Sequence, residues 1–184
     1  MLDAARRLPD VGITHRRTTV STVGWVPGLT RFVDEVLEPI RLALSLHAAD
    51  PALRSELMPV NERYPLADVL ALCRRHVERT NRRVFVEYVM LAGVNDAPSQ
   101  ARELASLLGP HAFKVNLMDR ASCPFKVNLI PFNDTPGSPY RGSSRAAIEA
   151  FRGALQEHGL RATVRLTRGR DIDAACGQLA ARAP

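Results

Sequence analysis

The most constraining feature of this sequence is the alternation of short β-rich runs with helical stretches. Runs rich in Val, Leu and other strand formers recur along the chain, and most are followed by a stretch with apolar residues at helical spacing. This rhythm is typical of βα units whose strands lie parallel in one sheet under packed helices. With 184 residues and 46% apolar content, the chain is long enough to bury one core of that kind. The sequence therefore predicts a single α/β domain with a mostly parallel sheet and flanking helices.

Five strands and five helices are predicted. A parallel strand that lacks a neighbour leaves an unpaired edge, so five strands without a closing partner predict an incomplete barrel. The predicted strands are 18–21, 41–46, 83–91, 127–130 and 162–166, and the helices run from the Gly24–Gly28 turn to about 36, from Asp50-Pro51, and over about 65–79, 98–108 and 143–158.

A short tandem repeat interrupts this pattern near the middle of the chain. Phe113–Leu117 recurs as Phe125–Leu129, with an offset of twelve residues. One repetition does not make a solenoid, so we interpret 113–124 as a local duplication that adds a loop containing Cys123. The second copy continues into 130–133 and is the better candidate for the functional strand.

Charge and cysteine content indicate a cytoplasmic protein but do not identify its partner. Lys and Arg number 25 against 19 Asp and Glu, a net charge of +6. This excess is as compatible with a solvated Arg-rich surface as with a polyanionic partner. The three cysteines form neither a CxxC site nor a disulfide framework, which favours a reducing compartment. No apolar run or signal-peptide pattern indicates a membrane segment, so we expect a soluble protein without a membrane partner.

Polar residues follow several of the predicted strands, where parallel α/β folds bind their ligands. Ser21 precedes the Gly24 turn, Ser45-Leu46-His47 ends an apolar strand, and Asn133 follows the fourth strand. Each also has a structural interpretation: turn or capping chemistry for Ser21, a hydrogen-bonded structural His47, and a turn-forming asparagine beside Pro131. The local sequence does not decide between a binding and a structural role, so these residues are binding candidates.

A fourth segment, Thr167–Leu179, is more particular because it contains Cys176 among small residues. Arg168 and Arg170 favour a thiolate, whereas the neighbouring aspartates disfavour one if they point at the sulfur. From physical chemistry alone, a buried inert thiol is as good an interpretation as a nucleophile.

Taken together, these segments resemble the RlmN family of radical S-adenosylmethionine enzymes, which methylate adenine C2 in large-subunit rRNA and tRNA. The resemblance extends from about residue 12 to 181, and its last segment is the most specific. The segments are 20–28 (VSTVGWVPG), 45–48 (SLHA), 58–61 (MPVN), 85–91 (FVEYVML), 128–133 (NLIPFN) and 171–179 (DIDAACGQL).

The resemblance implies a partial TIM-type radical S-adenosylmethionine barrel, with residues 1–184 as the C-terminal portion of the enzyme core. It implies that Ser21, the stretch Ser45, Leu46 and His47, and Asn133 contact S-adenosylmethionine from consecutive strand ends. Cys176 would be the methyl carrier.

The family's chemistry, as the resemblance implies it, requires a cysteine that is both nucleophile and carrier. The thiolate takes a methyl group from one S-adenosylmethionine. A second S-adenosylmethionine, cleaved at a [4Fe-4S] cluster, yields a radical that abstracts hydrogen from that methyl group. The resulting carbon radical adds to the adenine, so the implied partner is RNA.

The resemblance also defines what this sequence lacks. The family's cluster motif, CxxxCxxC, has no counterpart among Cys73, Cys123 and Cys176, so no metal ligand is predicted here. The resolving cysteine and the N-terminal accessory domain would precede this segment, so we expect the chain to be inactive without a missing N-terminal half. Arg170 stands where the family usually has Asp.

Two alternatives remain open at this point. One is the C8-methylating resistance branch, against which Thr167-Arg168-Gly169 favours the C2 branch. The other is a truncated, non-catalytic remnant that retains affinity for S-adenosylmethionine or RNA.

Overall fold

The computed structural model describes residues 2–109, 123–135 and 137–165, and in them five strands form one parallel sheet in chain order. The strands are β1 (Thr19–Thr22), β2 (Arg41–Ser45), β3 (Val84–Met90), β4 (Phe125–Pro131) and β5 (Arg161–Val164). The helices are α1 (Leu2–Arg6), α2 (Val26–Glu35), α3 (Pro51–Leu57), α4 (Val60–Arg63), α5 (Leu66–Thr80), α6 (Pro98–Leu108) and α7 (Arg145–Glu157), with short 3-10 helices at Leu8–Val11 and His15–Arg17. None of the helices in the described part of the chain is long and apolar enough to cross a membrane.

The predicted elements are confirmed to within a few residues at their ends. The second copy of the repeat forms β4, whereas the first copy lies outside the described residues. Two helices that the sequence pattern did not predict are α1, with five residues, and α4, with four. Such helices are too short to show an apolar period and depend on tertiary packing.

The two faces of the sheet differ in character, and this difference positions the site. Along β3 and β4, buried residues alternate with half-buried ones. The buried face carries aliphatic side chains such as Leu44, Val86 and Val127, which form the core with the helices. The opposite face carries the polar residues of the strands. The strands of a parallel sheet are usually apolar on both faces because helices cover both, so a polar face indicates a side of the sheet that no helix covers.

Turn chemistry fixes where α3 begins and where α7 ends. The Asp50 carboxylate accepts a hydrogen bond from the Leu53 backbone N–H at 2.7 Å, and Pro51 occupies the first helical turn, as predicted. After α7, Gly159 adopts a φ of 79°, the left-handed conformation that glycine tolerates best. This sharp end turns the chain directly into β5.

Candidate functional site

All five strands are parallel, so their carboxyl ends meet at one edge of the sheet, and the predicted binding residues lie along it. Ser21 is exposed at the third position of β1, Ser45 ends β2, and Asn133 lies two residues beyond the end of β4. The strands that carry them are not all consecutive, because β3 lies between β2 and β4. The edge therefore includes a strand to which the sequence assigned no binding residue.

His47 is held in a conformation that few non-glycine residues adopt. Its φ is 61°, in the left-handed region, and its ring Nδ1 accepts a hydrogen bond from the Val89 backbone N–H at 3.1 Å. Burial, reinforced by the nearby Arg54 cation, lowers the pKa of His47 to about 4. The ring is therefore neutral at pH 7, and because Nδ1 accepts, the proton resides on Nε2. His47 thus offers the site a neutral N–H donor from a strained backbone position.

Leu46, also predicted to bind the ligand, has a fully buried side chain in the core. Its backbone N–H donates to the Glu87 carbonyl at 3.1 Å and so extends the pairing of β2 with β3. Any contribution of Leu46 to ligand binding must therefore come from its backbone.

Asn95 fixes the end of β3 to the turn that carries His47. This fully buried amide donates through Nδ2 to the carbonyls of His47 at 2.9 Å and Val89 at 2.7 Å, and its Oδ1 accepts from the Leu91 N–H at 2.7 Å. Its backbone carbonyl accepts from the Tyr88 hydroxyl at 2.8 Å. One side chain therefore holds three backbone groups that the end of the strand would otherwise leave unpaired.

Arg54 on α3 links the ends of β1 and β2 through hydrogen bonds from its side chain. Its guanidinium is fully buried, donates to Asn61 Oδ1, and donates to the carbonyls of Val23 at 3.0 Å and Ser45 at 3.4 Å. Burial lowers the pKa of the Arg54 guanidinium from its ordinary value. Among the described ion pairs, none gives this cation a carboxylate, so carbonyl and amide oxygens solvate it.

The backbone between β1 and α2 passes close to this guanidinium. Gly24 has a φ of 100°, and a Cβ atom there would lie 3.0 Å from a methyl group of Val69 and 3.4 Å from an Arg54 nitrogen. A glycine is therefore required where the β1 turn packs on Arg54 and α5.

We expect Arg54→Met to lower the free energy of unfolding by about 2 kcal/mol. Methionine retains most of the volume but leaves Asn61 Oδ1 and the Val23 carbonyl without a donor, a loss that exceeds the relief of removing an unpaired buried cation. Urea unfolding checks this, with the exposed Arg102→Met as the matched control, for which a change under about 0.5 kcal/mol is expected. A more stable Arg54→Met protein would contradict the proposed balance.

A row of polar side chains crosses the open face of the sheet one level below the edge. Glu87, Asn128 and Thr163 are in register on β3, β4 and β5. Asn128 Nδ2 donates to Glu87 Oε1 at 2.8 Å, and the Thr163 hydroxyl donates to Asn128 Oδ1 at 2.7 Å. Ser45 is the register partner of Glu87 on the other side. The row presents a positioned carboxylate to the same side of the sheet as Ser21 and Ser45.

Glu87 is not among the predicted binding residues, although its position within the apolar run of β3 is unusual for a carboxylate. A lone acidic residue inside the apolar run of β3 costs free energy if it is buried without partners, so its presence marks a polar face. The register of the strands, which the sequence does not provide, brings Asn128 and Thr163 to it.

The two described cysteines are unsuited to nucleophilic chemistry. Burial raises the pKa of Cys73 to about 12, and burial also raises the pKa of Cys123, whose thiol donates to the Leu108 carbonyl at 3.4 Å. Both are therefore thiols at neutral pH. Cys176 lies outside the described residues. In the described part, no group of three or more His, Cys, Asp or Glu side chains is arranged to hold a metal ion.

This edge thus offers hydroxyls, a neutral imidazole N–H and a carboxylate, a set suited to a polar, hydroxyl-bearing ligand. No family model matches the chain. Curated proteins named "Probable dual-specificity RNA methyltransferase RlmN" do match it. The one from Chloroflexus aurantiacus is 52% identical over 97% of this chain, and the one from Heliobacterium modesticaldum is 52% identical over 91%. These matches span 46% and 40% of the two relatives, so the chain covers rather less than half their length.

Solved structures agree with these relatives. A radical SAM methyltransferase from Sphaerobacter thermophilus superposes with a TM-score of 0.81 at 45% identity, over 91% of this chain and 46% of that one. A domain of pyruvate-formate lyase-activating enzyme from Bacteroides vulgatus superposes with a TM-score of 0.61 at 18% identity, over 89% of this chain and 88% of that one, a likeness of fold alone. These likenesses confirm the predicted α/β fold.

The parallel sheet and its similarity to a solved radical SAM methyltransferase place the chain in the class of radical S-adenosylmethionine methyltransferases. Within that class it belongs to the RlmN family, as the resemblance of its motifs predicted.

Proposed function

We propose that this chain is the C-terminal portion of a radical S-adenosylmethionine methyltransferase core that acts on adenine C2 in large-subunit rRNA and tRNA. The observation that carries the proposal is the carboxyl edge of the parallel sheet. Ser21 and Ser45 lie in its strands, and His47 and Asn133 lie just beyond strand ends, in a chain about 50% identical to RlmN relatives. The remaining part of the enzyme, including an accessory domain, would supply the [4Fe-4S] cluster ligands.

The residues at the edge fit S-adenosylmethionine in their chemistry. Its ribose hydroxyls and ammonium group need acceptors, which the serine hydroxyls and carbonyl groups provide. Its carboxylate and adenine ring nitrogens need donors, which His47 Nε2–H and the Asn133 amide provide. When bound, it supplies the methyl group and the source of the radical. The chain's own part is to bind and orient it, and to carry the methyl group on Cys176.

A chimera tests this proposal without assuming how far the chain's natural protein extends. The matched segment of the Chloroflexus aurantiacus relative, 46% of its length, is replaced by this chain, and the unaltered relative is the positive control. We expect 2-methyladenosine in both rRNA and tRNA from cells without their own C2 methylation, measured by mass spectrometry of digested RNA.

Other outcomes are informative because each rejects part of the proposal. 8-Methyladenosine would assign the chain to the C8 branch, and product in only one RNA class would reject dual specificity. A chimera that folds and carries its cluster but yields no product, beside an active relative, would identify a non-catalytic remnant.

A further inference from the structure

The amino ends of the strands carry a concentration of positive charge. Two grooves of about 450 Å³ and 490 Å³ lie there and share Arg83. We call them together the basic trough. Its cationic lining residues are Arg16, Arg41, Arg82, Arg83, Lys126 and Arg161, and neither groove is lined by an Asp or Glu.

The charge of the basic trough is uncompensated within the described part of the chain. None of its six cations takes part in a described ion pair with a carboxylate. Arg82 donates to the backbone carbonyl of Glu38, whose own carboxylate is engaged by Arg6 at 2.9 Å. Arg16, Arg83 and Arg161 are exposed. Like charges gathered in this way repel each other, so an anionic partner would stabilise them.

An aromatic ring lies among these cations. Phe85 lines the first groove, with the Arg41 guanidinium 6.0 Å and the Lys126 ammonium 5.9 Å from its ring centroid. Cations that bind phosphates beside a partly exposed ring that stacks on a base are the features by which proteins hold single-stranded nucleic acid. An acidic protein segment would use the cations but would not need the ring.

The basic trough adjoins the polar row on the open face of the sheet. Phe85 and Lys126 lie two residues before Glu87 and Asn128 on β3 and β4, about 7 Å away, and Thr163 also lines the second groove. A polyanion bound in the trough would therefore approach the carboxyl edge from the amino ends of the strands.

We propose that the basic trough binds a single-stranded segment of the substrate RNA, with phosphates on Arg16, Arg83 and Arg161 and one base against Phe85. Only the choice of RNA as the polyanion rests on the proposed function. The contact is independent of base sequence because it is made to phosphates and to a ring face.

Fluorescence anisotropy of a labelled, unstructured RNA with the 184-residue chain tests the proposal directly, since it requires no methylation. The triple variant Arg16→Gln, Arg83→Gln and Arg161→Gln removes three charges from the trough. The matched control removes three charges from exposed arginines that line neither groove, through Arg63→Gln, Arg102→Gln and Arg145→Gln. The same two triples in the chimera provide a second measurement, the KM for RNA, if the shorter chain folds poorly.

We expect the trough triple variant to weaken RNA binding about tenfold or more at low salt. It should also lower the slope of log Kd against log salt by about 2, because each of its three lost phosphate contacts accounts for about 0.7. The control triple should change Kd less than about threefold. Phe85→Leu should weaken binding without changing the salt slope. In the chimera, the KM for RNA should rise while the KM for S-adenosylmethionine stays constant.

Equal effects of the two triples would show that only net charge matters and would overturn the proposal. Competition by poly-glutamate as effective as that of RNA at equal charge would assign the trough to an acidic protein segment instead. A chimera without methylation activity whose trough still binds RNA as described would refute the proposed function and leave this inference standing.

Discussion

We expect replacement of Cys176 by alanine to lower the rate of methylation by the chimera by about 10³-fold or more. The two described cysteines of this chain are poor alternatives as the nucleophile. Burial raises the pKa of Cys73 to about 12 and also raises the pKa of Cys123, so neither supplies an appreciable fraction of thiolate at pH 7. Single-turnover assays with mass-spectrometric detection of methyladenosine measure the loss.

Cys73→Ala and Cys123→Ala are the matched controls. Both thiols lie in the core, so these changes should lower the unfolding midpoint while leaving the single-turnover rate within about threefold. Methylation at the parental rate by Cys176→Ala would refute the carrier role. Loss of methylation in a folded Cys73→Ala chimera would place the nucleophile elsewhere.

The fold was predictable from the sequence because its periodicities are strong. The apolar run of β3 and the helical spacing of Leu104 and Leu108 in α6 each have one good interpretation, and helix signals such as Asp50-Pro51 fix where elements begin. The helices α1 and α4 were missed, since four or five residues cannot display a period of 3.6. Strand order and register were not predictable at all, because they depend on contacts between segments far apart in the chain.

The residues of the site likewise include some that the sequence identifies and others that only the tertiary structure reveals. The four polar candidates were identifiable because they lie at or just beyond strand ends and match family motifs: Ser21, Ser45, His47 and Asn133. Their role in binding stays a prediction. The supporting residues were not identifiable. Arg54 and Asn95 look like an ordinary helix arginine and an ordinary turn asparagine, yet both are fully buried and hydrogen-bonded to backbone groups of the site. Their importance arises from the tertiary positions of the carbonyls that they reach.

Asn95→Asp is expected to lower the free energy of unfolding by about 4 kcal/mol at pH 7. The change is isosteric and retains the acceptor for the Leu91 N–H. It replaces the Nδ2 donor with a carboxylate oxygen that faces the carbonyls of His47 and Val89, so both lose their partner and a buried charge is added. Urea unfolding of the chimera and of the 184-residue chain measures the effect. The left-handed turn at His47, which the Asn95 amide holds, should loosen, and affinity for S-adenosylmethionine should fall with stability.

The pH dependence separates this mechanism from a general weakness of the fold. Burial and two facing carbonyls raise the folded-state pKa of the introduced carboxyl above its unfolded value, so the destabilisation is largest above the folded pKa. It shrinks as the pH falls through that pKa, because the protonated carboxyl regains one donor. The same substitution at Asn81, an exposed residue with a φ of 53°, is the matched control and should cost under about 1 kcal/mol, chiefly by placing a negative charge at a helix C-terminus. Equal losses at the two positions, or a loss at Asn95 that does not diminish in acid, would show that the amide's two donated hydrogen bonds do not hold the edge together.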